Sequence, residues 1–238
     1  MSKNRSFLSS TTHDESEESH WLSVSDLMAG LMMVFLFISV ALMRDAFLER
    51  DQIKEIAVAY QENQVAIYNS LMSEFEKDLD KRQADIDGET LSFVFKSPDV
   101  LFDRGEALIK PKFKVILDDF FPRYMSVLRG YLDSINEVRI EGHTSSVWNQ
   151  WTNDSEAYFK NMELSQGRTR SVLNYVYNLK NIESERQWIK RNIAAVGFSS
   201  AKLIIDKTGK EDRSRSRRVT FRVITNSETQ IRKILQGT

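Results

Sequence analysis

The chain has 238 residues, 41% of them hydrophobic, a net charge of −1, three histidines and no cysteine. The missing cysteine excludes disulfides and thiolate metal sites. The near-neutral balance hides an asymmetry: residues 1–87 carry 8 basic and 16 acidic side chains, residues 88–238 carry 25 and 18, so only the second part favours an anionic partner, either nucleic acid or a wall polymer.

Residues 1–20 are polar and rich in Ser and Thr, which predicts a flexible tail. The only long apolar run follows, from Leu22 to Met43 within a predicted transmembrane helix over 21–43. At 22 residues it makes roughly 33 Å of helix, enough to cross a hydrocarbon core of about 30 Å. It reads as an anchor and not as a cleaved signal peptide: its core is long, the preceding HDESEE is acidic, and no small-residue cleavage site follows Met43. Lys3 and Arg5 precede the run while Arg44, Arg50 and Lys54 follow it, so charge does not fix the orientation.

Asp26 is the one ionisable group in that run. A carboxylate within a membrane helix costs a few kcal/mol, less near the edge, and calls for a reason. One reason is that it carries an ion or a proton. The alternative is that Ser23, Ser25 and Asp26 cap a shorter span from Leu27 to Met43, whose 17 residues, roughly 25 Å, sit at the lower limit for crossing. Asp26, Gly30, Met33, Phe37 and Ala41 share one helical stripe, with Ala29 beside it, and such small residues suit close approach of a neighbouring helix.

Residues 44–87 are predicted as a juxtamembrane linker helix, with no Pro and no Gly before about Asp85. Ile53, Ile56, Tyr60, Ile67, Leu71 and Phe75 recur at helical spacing, a stripe that fits either a plain linker or pairing with a second copy or a pore plug. A soluble domain is expected over 88–226, with a tail over 227–238. Its predicted elements are a strand at Leu91–Phe95, a helix over Lys112–Leu132, a strand at Val138–His143, a helix over Leu164–Leu179, and strands at Ile193–Phe198 and Val219–Ile224. That β-α-β-α-β-β order places the domain in the α+β class, with helices on one face of a mixed sheet.

Four stretches of this domain resemble the OmpA-like peptidoglycan-binding family: Val100-Leu101-Phe102-Asp103 with Ala107-Leu108-Ile109-Lys110-Pro111; Ile140-Glu141-Gly142-His143-Thr144; Asn161-x-x-Leu164-Ser165-x-x-Arg168; and Arg213-x-x-Ser216-Arg217-Arg218-Val219. The resemblance implies a peptidoglycan site built from Thr144, Ser145, Asn161, Leu164, Arg168, Arg213 and Arg217. Peptidoglycan stem peptides present carboxylates and, in diaminopimelate, an amine as well. A guanidinium binds a carboxylate through two parallel hydrogen bonds; the resemblance assigns that role to Arg168, although a solvated helix arginine and, for Leu164, simple core packing are the plainer readings. The family usually places Asp after G-H-T where this chain has Ser145, and the stretch up to Arg168 holds an aromatic-rich insert from Trp148 to Phe159. Asp154 or Glu156 from the insert are candidates to replace the missing acid.

One span with an early Asp, then a helix, then an OmpA-like domain is the layout of flagellar stator B subunits. The string from Trp21 through Asp26 to Phe37 resembles the B subunits of the Zorya anti-phage defence motor. This resemblance implies a wall-anchored subunit of an ion-driven, proton-type rotary motor of the inner membrane. Two copies would sit within five copies of a multi-span ring subunit of the stator A type, with the N-terminus cytoplasmic and the C-terminal domain periplasmic. Service in motility and a passive peptidoglycan tether are the alternatives. No cofactor, metal or direct nucleic-acid contact is expected, since Arg213–Arg218 has no aromatic platform beside it. Nor is an enzyme: His143 is the only domain histidine, and neither a nucleophile–base pair nor a Gly-rich phosphate loop is present.

Overall fold

In a computed structural model, which describes residues 14–96 and 98–226, the chain divides into two units, 1–55 and 56–238. Helix α1 (Asp14–Arg82) contributes to both. It begins inside the stretch expected as tail; residues 1–13 and the tail over 227–238 lie outside the described residues. In the first unit, Val24–Glu55 is long and apolar enough to cross a membrane, and every side chain along it is exposed. A helix satisfies its backbone polar groups internally, as a segment in lipid must.

In the second unit the last turns of α1 belong to the domain's own core. Ile67, Leu71 and Phe75, spaced four apart on one helical face, are fully buried. Phe75 meets Phe93 edge-on at 5.2 Å between centroids and Phe120 at 5.3 Å. Arg123 ties the same turns from outside, its Nε donating to Glu74 at 2.6 Å and its Nη1 to Asp78 at 2.7 Å. This part of the stripe is therefore core, and neither a free linker nor a surface for a second copy.

The helix stops at Gln83, which takes φ +50°, and the chain turns into β1 (Ala84–Asp87). The sheet thus starts four residues before Gly88, where the sequence opens the domain. Ala84 and Ile86 point in while Asp85 and Asp87 point out, a short charged strand of the kind that protects a sheet edge. Asp87 then closes the hairpin by accepting from Glu89 N at 2.9 Å and Thr90 Oγ1 at 2.8 Å.

The rest follows the expected order: β2 (Ser92–Phe95), a short α2 (Pro98–Leu101), α3 (Pro111–Leu128), β3 (Ile135–His143), α4 (Asp154–Tyr177), α5 (Arg186–Asn192), β4 (Ile193–Gly197), α6 (Arg213–Ser216) and β5 (Arg218–Thr225). The strand order is β1-β2-β5-β3-β4, with β3 and β4 parallel and all other pairs antiparallel. Pro111 starts α3, where its missing N–H costs nothing. Phe113, Leu117, Phe120, Phe121 and Tyr124 of α3 are buried, and Phe120 touches Phe93, Phe95 and Phe221 with centroids 4.5–5.1 Å apart.

Two glycines let α4 lie unusually close to the sheet. Gly142 and Gly197 are paired across β3 and β4. A Cβ on Gly142 would stand 2.8 Å from the Ser165 carbonyl, and one on Gly197 would stand 2.5 Å from the Gln166 nitrogen. This contact fixes the height of α4 above the C-terminal end of β3, and so the depth of the cavity between them.

Candidate functional site

All seven residues expected to form a site line one cavity of about 650 Å³. Thr144 and Ser145 continue β3. Asn161, Leu164 and Arg168 lie at i, i+3 and i+7 of α4, which puts them on one helical face. Arg213 comes from α6 and Arg217 directly follows it. Phe102 to Gly105 form the opposite wall, and Val147, Trp148 and Asn149 the rim.

Each wall is held from behind. Asn161 Nδ2 donates to the Ser145 carbonyl at 3.1 Å, which fixes the turn after β3. Ser199, fully buried with φ +51°, connects three elements: its carbonyl accepts from Thr144 N at 2.9 Å, its nitrogen donates to Ser165 Oγ at 3.1 Å, and its hydroxyl donates to the Tyr158 carbonyl at 2.6 Å. Such a conformation is tolerated in a non-glycine residue only where the surroundings fix it. Glu211 anchors the last wall by accepting from Ser146 N at 3.0 Å and Ser146 Oγ at 2.5 Å.

Arg168 has a structural duty the sequence did not reveal. It is buried, its Nε donates to the Glu106 carbonyl at 2.8 Å, its Nη2 donates to the Asp103 carbonyl at 3.0 Å, and its guanidinium lies 4.8 Å above the Phe102 ring. The residue therefore shapes the 103–106 wall. Arg217 differs: its Nε is buried with no partner among the described residues, and so is the Thr144 hydroxyl. Leu164 is half-buried and lines the cavity, so it is not simply core.

Four arginines, at 104, 168, 213 and 217, line the cavity against a single carboxylate, Asp103, whose side chain pairs with Lys110 at 2.9 Å. The lining suits an anion that can accept hydrogen bonds. Asp154 and Glu156 are not part of it. They form the first turn of α4, where Asn153 caps the helix and Glu156 pairs with Lys160 at 2.7 Å; acidic residues in that position complement the helix dipole. Half of the supposed insert is thus helix, because α4 starts ten residues earlier than its apolar stripe suggests.

Beside the site, on the other side of β3, Glu141 and His143 are buried together, with His143 Nε2 3.4 Å from Glu141 Oε2. The His143 ring stacks on Phe198 at 5.3 Å. Burial pushes His143 below the ordinary histidine range, its contact with Glu141 opposing only in part. For Glu141 burial works against the charge, but His143 and the nearby Arg222 and Lys202 outweigh it and hold the carboxyl below its usual range. Among the described residues no group of acids or histidines could hold a metal ion.

In the first unit Asp26 is exposed on α1 with its neighbours Ala29 and Gly30. It is far from the cavity in sequence and belongs to a separate unit.

The OmpA family pattern matches residues 101–217. The chain is 61% identical to Zorya protein ZorB of Escherichia coli over 222 residues, 93% of this chain and 94% of that protein. Among solved structures, a putative MotB-like protein from Desulfovibrio vulgaris superposes with a TM-score of 0.49 at 21% identity, covering 72% of this chain and 94% of the other. The periplasmic domain of Helicobacter pylori MotB gives 0.40 at 14% identity, covering 61% and 83%.

Proposed function

The chain belongs to the ZorB family, and from that premise we propose that it is the wall-anchored subunit of an ion-driven rotary motor of the inner membrane, serving anti-phage defence. The observation that carries the anchoring half is the arginine-lined cavity, in which Arg217 Nε and the Thr144 hydroxyl stand buried with no partner among the described residues. The ligand is a carboxylate of a peptidoglycan stem peptide. Arg217 and Arg213 bind it, Thr144 contributes its hydroxyl, Leu164 supplies the apolar floor, and Arg168 with Asn161 holds the walls in place.

The motor half rests on Asp26. It is the single carboxylate of the apolar run Leu22–Met43, and such a group is unfavourable facing lipid, so it faces protein or water. Asp26 takes up a proton from one side and releases it to the other while a ring of partner subunits turns past it. Two copies of this chain inside five multi-span ring subunits give each Asp26 a succession of equivalent positions. The N-terminus is then cytoplasmic and the sheet domain periplasmic, where it reaches the wall.

The test is co-sedimentation of the detergent-solubilised full chain with purified wall sacculi. Arg217→Ala is expected to weaken sedimentation by about tenfold or more, since a hydrogen bond to a charged group contributes about 1.5–3 kcal/mol, with an unchanged unfolding temperature. Sedimentation equal to that of the unaltered chain would refute the assignment.

A further inference from the structure

The aromatic stretch after β3 has no role yet beyond the rim, and Trp148 lines two cavities. It lines the one already described and also a second of about 1000 Å³, and the two share Gly105, Trp148 and Leu164. The second cavity is also lined by Lys160, Glu163, Gln166 and Arg170 of α4. An aromatic side chain in one cavity with side chains able both to donate and to accept is the combination that a sugar ring calls for. The C–H bonds on one face of a pyranose are attracted to the electron-rich face of an aromatic ring, and its equatorial hydroxyls need hydrogen-bond partners.

Three residues further on, Trp151 is 85% exposed. Its loop is nevertheless fixed: Asn149 Oδ1 accepts from Trp151 N at 2.9 Å and from Thr152 N at 3.0 Å, and Thr152 Oγ1 donates to the Asn149 carbonyl at 3.2 Å. A large aromatic side chain displayed on a pre-ordered turn loses little entropy on binding and gains much by being covered. Asn149, which orders the turn, itself lines the first cavity, so the displayed ring and that cavity's rim are parts of one local structure.

We propose that Trp148 and Trp151 form a stacking platform for the sugars of the glycan strand. The proposal rests on the stem-peptide reading of the neighbouring cavity and extends it. A stem peptide is covalently attached to a sugar of the strand, so a stem seated in the first cavity brings glycan close to its rim, which Trp148 lines and to which the Trp151 turn is tied through Asn149. The chain thereby reads strand and stem together, and distinguishes intact wall from released peptide.

The experiment measures binding of the full chain in detergent to two probes: a diaminopimelate-containing stem tripeptide, and the same peptide on its N-acetylglucosamine–N-acetylmuramic acid disaccharide. The unaltered chain is expected to bind the disaccharide form about tenfold more tightly, the scale of one or two aromatic contacts. Trp151→Ala should lose most of that preference without changing affinity for the free tripeptide, and Trp151→Phe should keep most of it. Equal affinity of the unaltered chain for both probes, or an undiminished preference in Trp151→Ala, would overturn the platform and leave the stem-peptide site standing. Binding to neither probe would overturn both. A Trp151→Ala chain that changes oligomeric mass but keeps its sugar preference would assign the exposed ring to a second copy and overturn the platform as well.

Discussion

Between Val24 and Glu55 the helix leaves Leu27, Met32, Phe37 and Leu42 more than 60% exposed, whereas in the sheet domain eight phenylalanine and tyrosine side chains are fully buried. The two regions use similar residue types for opposite ends. In the domain, apolar side chains find one another, and the core is complete within one chain. In the helix they meet nothing among the described residues, so the segment needs lipid or other subunits to cover it, and Asp26, the one acid of its apolar run Leu22–Met43, needs a partner there. The difference teaches where each kind of function can reside. A self-sufficient domain can hold a static grip on a ligand, while an unfinished apolar surface with an acid inside it can be completed by subunits that move.

The strongest way to break this comparison is to neutralise the acid. Asp26→Asn keeps size and polarity but cannot titrate, and it should abolish protection in a phage-plating assay at an unchanged level of membrane-inserted protein. Next, the boundary between the regions can be sharpened within α1. Phe75→Ala should destabilise the domain by about 3–5 kcal/mol, because a fully buried ring leaves a cavity behind. Phe47→Ala, at a 52% exposed position in the first unit, should leave the domain's unfolding unchanged; thermal unfolding followed by near-ultraviolet circular dichroism reads both. Gly197→Ala should cost about 1–3 kcal/mol, since its Cβ would meet backbone of α4 and lift the helix that carries Asn161, Leu164 and Arg168. The same melting experiment measures it.

The smallest effect is expected from pH. His143 is held below its ordinary value of 6.5, so as pH falls through that value the unfolded chain takes up the proton first and stability declines. Glu141, held below 4.5, adds further loss at still lower pH. Both act in the same direction, and the unfolding midpoint should be lower at about pH 5 than at neutrality. An unchanged midpoint would mean that the pair is hydrated and not sealed under Phe198.

Much of the site could be read from the chain itself. Asn161, Leu164 and Arg168 share a helical face wherever the helix happens to begin, so their convergence survives an error of ten residues in the start of α4. The strands from Leu91 onward alternate strongly enough to be seen. Other features were hidden because their signal lies in tertiary contact. Ala84 and Ile86 are too few apolar residues to announce a strand, and only the neighbouring β2 gives them a reason to be one. Ile67, Leu71 and Phe75 show helical spacing, but spacing does not say whether a face meets its own domain or another molecule. The duty of Arg168 toward the carbonyls of Asp103 and Glu106 could not be read because those atoms are 65 and 62 residues away and belong to the backbone. Glu211 escaped for the same reason, since nothing near it in sequence points to Ser146.

The central claim is that defence requires both regions at once, an ion-carrying helix and a domain gripping the wall through its arginine-lined cavity. It is tested most directly by phage plating on cells carrying the complete defence genes with Arg217→Ala in this chain, at wild-type levels in the membrane. The account predicts that phage plate as they do on cells lacking the system, because a motor without its wall anchor has nothing to turn against. Full protection by that variant would contradict it.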